Sequence, residues 1–307
     1  MDFPSGIKRF TPYILLSLNM LFWSVNNVIS KAAVSDIPPA ALAFWPWVIG
    51  VSLLTPWAFP RLWKRRDLLA KHWLKLVSIG TLSIIFFYHL FYNALTYTTV
   101  INSSLIAAIL PVITMILAWM LYRDSITSRQ ITGTFVALFG VVVVIVEGNF
   151  TILASLSVNV GDLLMLAAVT SFALYSVLLR HIPEGLDPLA FLWVFAFSST
   201  IGNGIIYFSQ VFSPVHFDLT WPAVATILFI SIFPTILAFI FYNAGVRALG
   251  AAVASQFLYL VPILAALLAV LLLGEEFRFY HLVGLIVILV GLYVATAPKS
   301  FISSRLK

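Results

Sequence analysis

The sequence predicts an all-α integral membrane protein: ten transmembrane helices in two inverted five-helix repeats, with both termini cytoplasmic. Three observations predict it. The 307-residue chain is 62% hydrophobic and only 9% charged, where a soluble domain carries roughly 25% charged residues. Ten stretches of at least 17 residues contain no Asp, Glu, Lys or Arg. Lys and Arg gather in alternate connections between those stretches, the pattern of a polytopic membrane protein.

The stretches are residues 12–30, 38–60, 76–95, 100–121, 130–146, 163–179, 189–212, 221–242, 251–273 and 279–297. Each spans a hydrocarbon core of ~30 Å as a helix, some with tilt. They are too long for strands and lack the alternation of a membrane barrel. Backbone groups in lipid must pair internally, which leaves helices. The first stretch follows Lys8 and Arg9, as a signal peptide would, but Asn19, Asn26 and Asn27 interrupt it. No small-residue cleavage site follows, so it reads as a span. With the N-terminus inside, only Lys31 and Arg278 of the 17 Lys and Arg fall outside. The plasma (bacterial inner) membrane is the expected location.

Composition also excludes functions. The chain has no cysteine, so disulfides, thiolate metal sites and cysteine nucleophiles are ruled out. The net charge of +6 lies in short connections, where it sets topology, and no soluble domain is left to hold a nucleic acid. No two of His72, His89, His181, His216 and His281 have ligand spacing on one helix. No cofactor, metal or enzymatic activity is expected.

An internal repeat organises the chain. Residues 91–94 and 241–244 both read FYNA. Downstream, Pro111 matches Pro262, Asp124 matches Glu275, Gly133 matches Gly284 and Gly140 matches Gly291. Upstream, Lys31 matches Arg180, Pro39 matches Pro188 and Ala41 matches Ala190. Self-similarity at a nearly fixed offset marks a repeat architecture. The halves are residues 1–150 and 151–307. Each holds five spans, and the odd number makes the second half enter the membrane from the opposite side. Such inverted repeats are a common transporter design.

Trp23 to Asn27 read W-S-x-N-N, and acidic residues (Asp124, Glu275, Glu276) follow the fourth and ninth spans. With the five-plus-five organisation, these features resemble the drug/metabolite transporter superfamily and its ten-helix EamA-like branch. The stretch from Tyr88 to Tyr92 resembles bacterial exporters of aromatic amino acids. The resemblance implies export of small amphiphilic metabolites, aromatic amino acids first, by alternating access to a central cavity. A drug or sugar-type permease of the same fold is the rival within transport; a membrane-embedded lipid-modifying enzyme is the rival outside it. The expected partners are a small-molecule substrate and membrane lipid, and a monomer suffices.

Candidate site residues follow from polar groups in lipid-embedded helices, where facing lipid is costly. His89 is the one ionisable side chain well inside a span. It reads either as a neutral imidazole bonded between helices or as a cavity residue that responds to protonation. His89, Tyr92 and Thr96 share a helical face, flanked by Tyr88. Asn19, Trp23, Asn26 or Asn27, and Ser30 form a stripe in the first span, suited to an amide or zwitterion or to helix–helix bonding. Tyr175, Gln256 and Tyr259 are the second half's contribution. The expected substrate-binding set is Asn26, Tyr88, His89, Tyr92, Tyr175, Gln256 and Tyr259, around a water-accessible central cavity. The twin FYNA motifs are candidates for matched gates or for matched packing. The glycine pairs, two turns apart, predict a close-packed scaffold of spans five and ten. Pro111 and Pro262 predict matched kinks.

Overall fold

The computed structural model describes residues 5–183, 185–211, 217–273 and 276–296. Every regular element among them is helical. The first three are continuous: α1 (Ser5–Ala33), α2 (Pro39–Trp63) and α3 (Arg66–Tyr97). The fourth expected span is two helices, α4 (Val100–Ala107) and α5 (Leu110–Tyr122). Then come α6 (Ser128–Ile145), the short α7 (Thr151–Ala154), α8 (Val160–Leu178), which continues as a 3₁₀ turn (Leu179–His181), and α9 (Pro188–Val211). The eighth span is α10 (Trp221–Ile230), a π-helical segment (Ser231–Leu237) and α11 (Ala238–Leu249). The ninth is α12 (Ala251–Gln256), a 3₁₀ turn (Phe257–Tyr259) and α13 (Leu260–Leu273), and α14 (Phe279–Thr296) closes the bundle.

Among the described residues nine helical runs are long and apolar enough to cross a membrane. The expected third span lies within α3, a helix of 32 residues, but the side chains of residues 79–84 are outside the described set. Glu275 and both chain ends also lie outside the described residues.

Local chemistry explains where helices start and break. Thr127 and Gln130 form a capping box at α6, and Asn159 and Asp162 form another at α8, each satisfying free N–H groups of a first turn. Gly250, at φ 84°, makes the turn from α11 to α12 in a conformation that favours glycine. The breaks in spans four and nine fall just before Pro111 and Pro262, where proline supplies no N–H to the preceding turn. Pro234 sits inside the π segment, a bulge that accommodates the lost bond.

Helix α6 packs along α14 through the matched glycines. A Cβ on Gly133 would lie 2.6 Å from the Gly291 oxygen, and one on Gly284 would lie 3.1 Å from the Gly140 oxygen. Gly133 therefore faces Gly291 while Gly140 faces Gly284, so the two matched helices run antiparallel. Helices α2 and α9 are also antiparallel: Phe44 stacks on Tyr207, Thr55 accepts from Trp193, and Arg61 faces Asp187. Opposite directions in both matched pairs are what inverted halves require.

Ion pairs identify one end of the bundle. Arg180 binds Asp124, and Arg61 lies 3.8 Å from Asp187. Arg129 donates to the carbonyl of Val294. This basic end gathers the last turns of α2, α5, α8 and α14 and the first turns of α6 and α9. At the opposite end, Asp162 of α8 accepts from Thr98 and Asn102 at the α3–α4 junction.

Candidate functional site

The centre of the bundle is a layer of packed rings. Trp47 meets Tyr88, Phe195 and Phe239 with centroids 5.2–5.8 Å apart. Phe172 touches Trp23, Phe87, Tyr175 and Tyr242. Tyr88 stacks on Tyr92, and Tyr175 on Phe195. Tyr88, Tyr92 and Tyr175 are thus joined in one cluster, with Asn26 beside the Tyr92 hydroxyl. The water-accessible central cavity expected from the sequence is filled by rings in this conformation. Long aromatic side chains from six helices reach across the middle and close on one another.

Three of the seven expected residues go elsewhere. Gln256 is fully buried and accepts from Thr134 Oγ1 at 3.1 Å, fastening the break in span nine to the α6 scaffold. Tyr259 is fully buried on the following 3₁₀ turn and makes no ring contact with the cluster among the described residues. The expected face of His89, Tyr92 and Thr96 is split. Tyr92 is buried in the centre, Thr96 is exposed, and His89 is half-buried toward Asn203 of α9. Tyr88 and Tyr92, one turn apart, define the face that packs inward, and His89 is rotated ~100° from Tyr88.

The first-span stripe divides its roles. Asn19 donates to the Ala238 carbonyl at 2.9 Å and Trp23 to the Pro234 carbonyl at 3.3 Å. Both tie α1 to the π segment and its junction with α11, the interhelical bonding that such residues supply in membranes. Asn26 instead accepts from Ser30 at 3.3 Å, beside the Tyr92 hydroxyl.

The FYNA motifs occupy contrasting states. Tyr242 and Ser176 are 2.7 Å apart, and Tyr175 donates to Asn243 at 2.8 Å. These two bonds latch α8 to α11 toward the basic end. In the first half, Asn93 donates to the His89 carbonyl of its own helix. Among the described residues the Tyr92 hydroxyl is buried with no hydrogen bond, though Asn26 and Ser30 are its polar neighbours.

Several polar residues escaped the sequence reading. Among the described residues, Ser199 and Asn203, one turn apart on α9, are buried without a side-chain hydrogen-bond partner, as are His89 Nε2 and Trp45 Nε1. Of these, His89 of α3 and Asn203 of α9 are neighbours. The i, i+4 spacing of Ser199 and Asn203 in an apolar helix was the available signal. Asp162 is buried as well. It lies one residue before the expected sixth span, and the Asn159–Asp162 capping spacing was its signal.

Open space lies at the basic end. A cavity of about 590 Å³ sits beside the latch, lined by Ser176, Val177, Arg180, Ile182, Val246 and Arg247 among others.

Comparison with known proteins decides the family. The pattern of the EamA-like transporter family matches residues 10–146 and again residues 159–297. The chain belongs to the EamA-like transporter family. It is a multi-pass membrane transporter, in keeping with a bacterial inner membrane. It is similar to an uncharacterized transporter, YyaM, of Bacillus subtilis, at 25% identity over 94% of this chain and 95% of that protein. An uncharacterized transporter of Archaeoglobus fulgidus is 28% identical over 94% of this chain and 98% of its own. A crystal structure superposes with a TM-score of 0.74 at 18% identity, covering 93% of this chain and 97% of the other, and so shares the fold. Family and relatives point to transport rather than catalysis.

Proposed function

We propose that this EamA-like transporter exports small amphiphilic metabolites, aromatic amino acids first, by alternating access to its aromatic centre. The halves, residues 1–150 and 151–307, are the moving units. The basic end faces the cytoplasm, and both termini with it. One chain encloses the centre, so the monomer is the working unit.

The observation that carries this reading is the unequal state of two equivalent latches. FYNA gives Tyr92 and Tyr242 the same place in their halves, and the upstream offset pairs Asn26 with Tyr175 and Asn27 with Ser176. Tyr242 and Asn243 are bonded across to Ser176 and Tyr175. Among the described residues Tyr92 has no such bond, either to Asn27, the match of Ser176, or to Asn26 beside it. Inverted halves have two states of similar energy, and each state closes one latch. A net hydrogen bond contributes about 0.5–1.5 kcal/mol, so two bonds bias the exchange by an amount a substrate can reverse.

The centre also supports the substrate class. Its walls are Trp23, Tyr88, Tyr92, Phe172, Tyr175 and Tyr242, which offer ring faces and hydroxyls. Asn26 adds both a donor and an acceptor for a zwitterionic head. Phosphorylated solutes need desolvated Lys or Arg, and none of these wall residues is basic. The test is counterflow: proteoliposomes preloaded with unlabelled L-tryptophan, given labelled L-tryptophan outside. Accumulation above empty liposomes, absent with glucose 6-phosphate, is expected. No accumulation with any aromatic amino acid overturns the reading.

A further inference from the structure

The cavity beside the latch carries one charge that, among the described residues, no acid contacts. Its wall holds two guanidiniums, Arg180 and Arg247. Arg180 is engaged: both its terminal nitrogens bind Asp124, and it lies 4.2 Å from the centroid of the Tyr122 ring. The acid nearest in charge to Arg247 is Asp187, which is engaged too. One of its oxygens accepts from the N–H groups of Leu189 and Ala190 at 2.9 and 3.2 Å, capping α9, and the other faces Arg61. Among the described residues Arg247 has neither hydrogen bond nor ion pair. Lys75 adds positive charge near His181, next to Arg180.

We infer that Arg247 is a carboxylate-recognition site, at which the cavity takes up an organic solute by its carboxylate before the solute passes the latch. Arg247 follows Tyr242 by five residues on α11, and Arg180 follows Ser176 by four, on the 3₁₀ turn that continues α8. Both guanidiniums therefore hang about one turn from the bonded pair. A carboxylate matches the planar fork of an unpaired guanidinium with two parallel bonds. Val177, Leu179, Ile182 and Val246 give its apolar body a wall. The volume, about 590 Å³, lies in the range of small-molecule sites. The site deepens the transport reading and rests on it: the centre selects the ring, and the cavity selects the acid. A topology role alone explains a basic residue at this end, but not one that lines a cavity while the acid acting on it, Asp187, also faces Arg61 and caps α9.

The test is equilibrium binding by calorimetry, with the full chain in phosphatidylcholine nanodiscs. The probes are 3-phenylpropionate, which has the carboxylate and no amine, and 2-phenylethylamine, the reverse. The first binds, and Arg247→Gln weakens it ~10-fold or more, the worth of a charge-assisted pair. Arg247→Lys restores part of the affinity. Lys64→Gln, which removes an equal charge from the same face outside the cavity, changes it less than ~2-fold. Unchanged binding in Arg247→Gln overturns the inference. So does co-purification of phosphatidylglycerol with no 3-phenylpropionate binding, which assigns the cavity to a lipid headgroup. If counterflow fails while Arg247-dependent binding persists, the export reading falls and this site stands. If counterflow succeeds and binding ignores Arg247, this site alone falls.

Discussion

Replacing Gly291 by alanine puts a methyl carbon 2.3 Å from the Ala137 nitrogen and 2.7 Å from the Gly133 oxygen. Both obstacles are backbone, so no side chain can turn away. Ordinary contact needs a separation of about 3.4 Å or more, and α6 and α14 must part by roughly 1 Å. A gap of that size forfeits a quarter to a half of each contact across the seam, and overpacking of this kind costs about 1–3 kcal/mol. Gly50→Ala is the matched control. Its methyl meets Ile236 at 3.6 Å, an ordinary contact, and alanine gains about 1 kcal/mol over glycine inside a helix. The two variants should differ by about 2–4 kcal/mol, or about 4–16 °C in Tm. Thermal unfolding of detergent-purified protein reads this directly. Equal melting of the two variants would refute the close-packed scaffold.

Further outcomes follow from the site. Tyr242→Phe removes the Ser176 bond, worth about 0.5–1.5 kcal/mol, so a cysteine placed at Phe172 should react about 2- to 10-fold faster with a maleimide added from the basic end. The chain's lack of native cysteine makes that labelling free of background. His89→Ala should leave tryptophan counterflow within ~2-fold and move Tm less than ~3 °C, because His89 lies outside the central rings and its buried Nε2 has no partner to lose; a loss of counterflow at unchanged Tm would put His89 in the substrate path. Asp162→Asn should lower Tm by about 3–10 °C, since it weakens charge-assisted bonds from Thr98, Asn102 and the Asn159 backbone. A neutral result would mean the α3–α8 end is held by packing alone.

Much of the fold was legible because lipid imposes simple rules. Apolar runs, charge asymmetry and repeated glycines each report one constraint that acts locally on the chain. Pro111 and Pro262 announced the broken spans for the same reason, since a missing N–H is a property of the residue. The site was less legible because it depends on rotation and pairing. His89 and Tyr92 both lie in one polar segment, but only packing against Trp47 and Phe172 decides that Tyr88 and Tyr92 face the centre. Gln256 has the chemistry of a binding residue and spends it on Thr134. Arg180 and Arg247 look alike in sequence, and only the positions of Asp124 and Asp187 leave Arg247 without an ion pair among the described residues.

Alternating access itself is tested most directly by two distances in one sample set. Spin labels at Ile182 and Ala248 report the basic end, and labels at Val28 and Tyr97 report the other. Pulsed dipolar spectroscopy in nanodiscs, with and without L-tryptophan, measures both. The account predicts that substrate moves the two distance distributions in opposite senses, one end widening as the other closes. Distances that stay fixed, or that widen and close together, would contradict it.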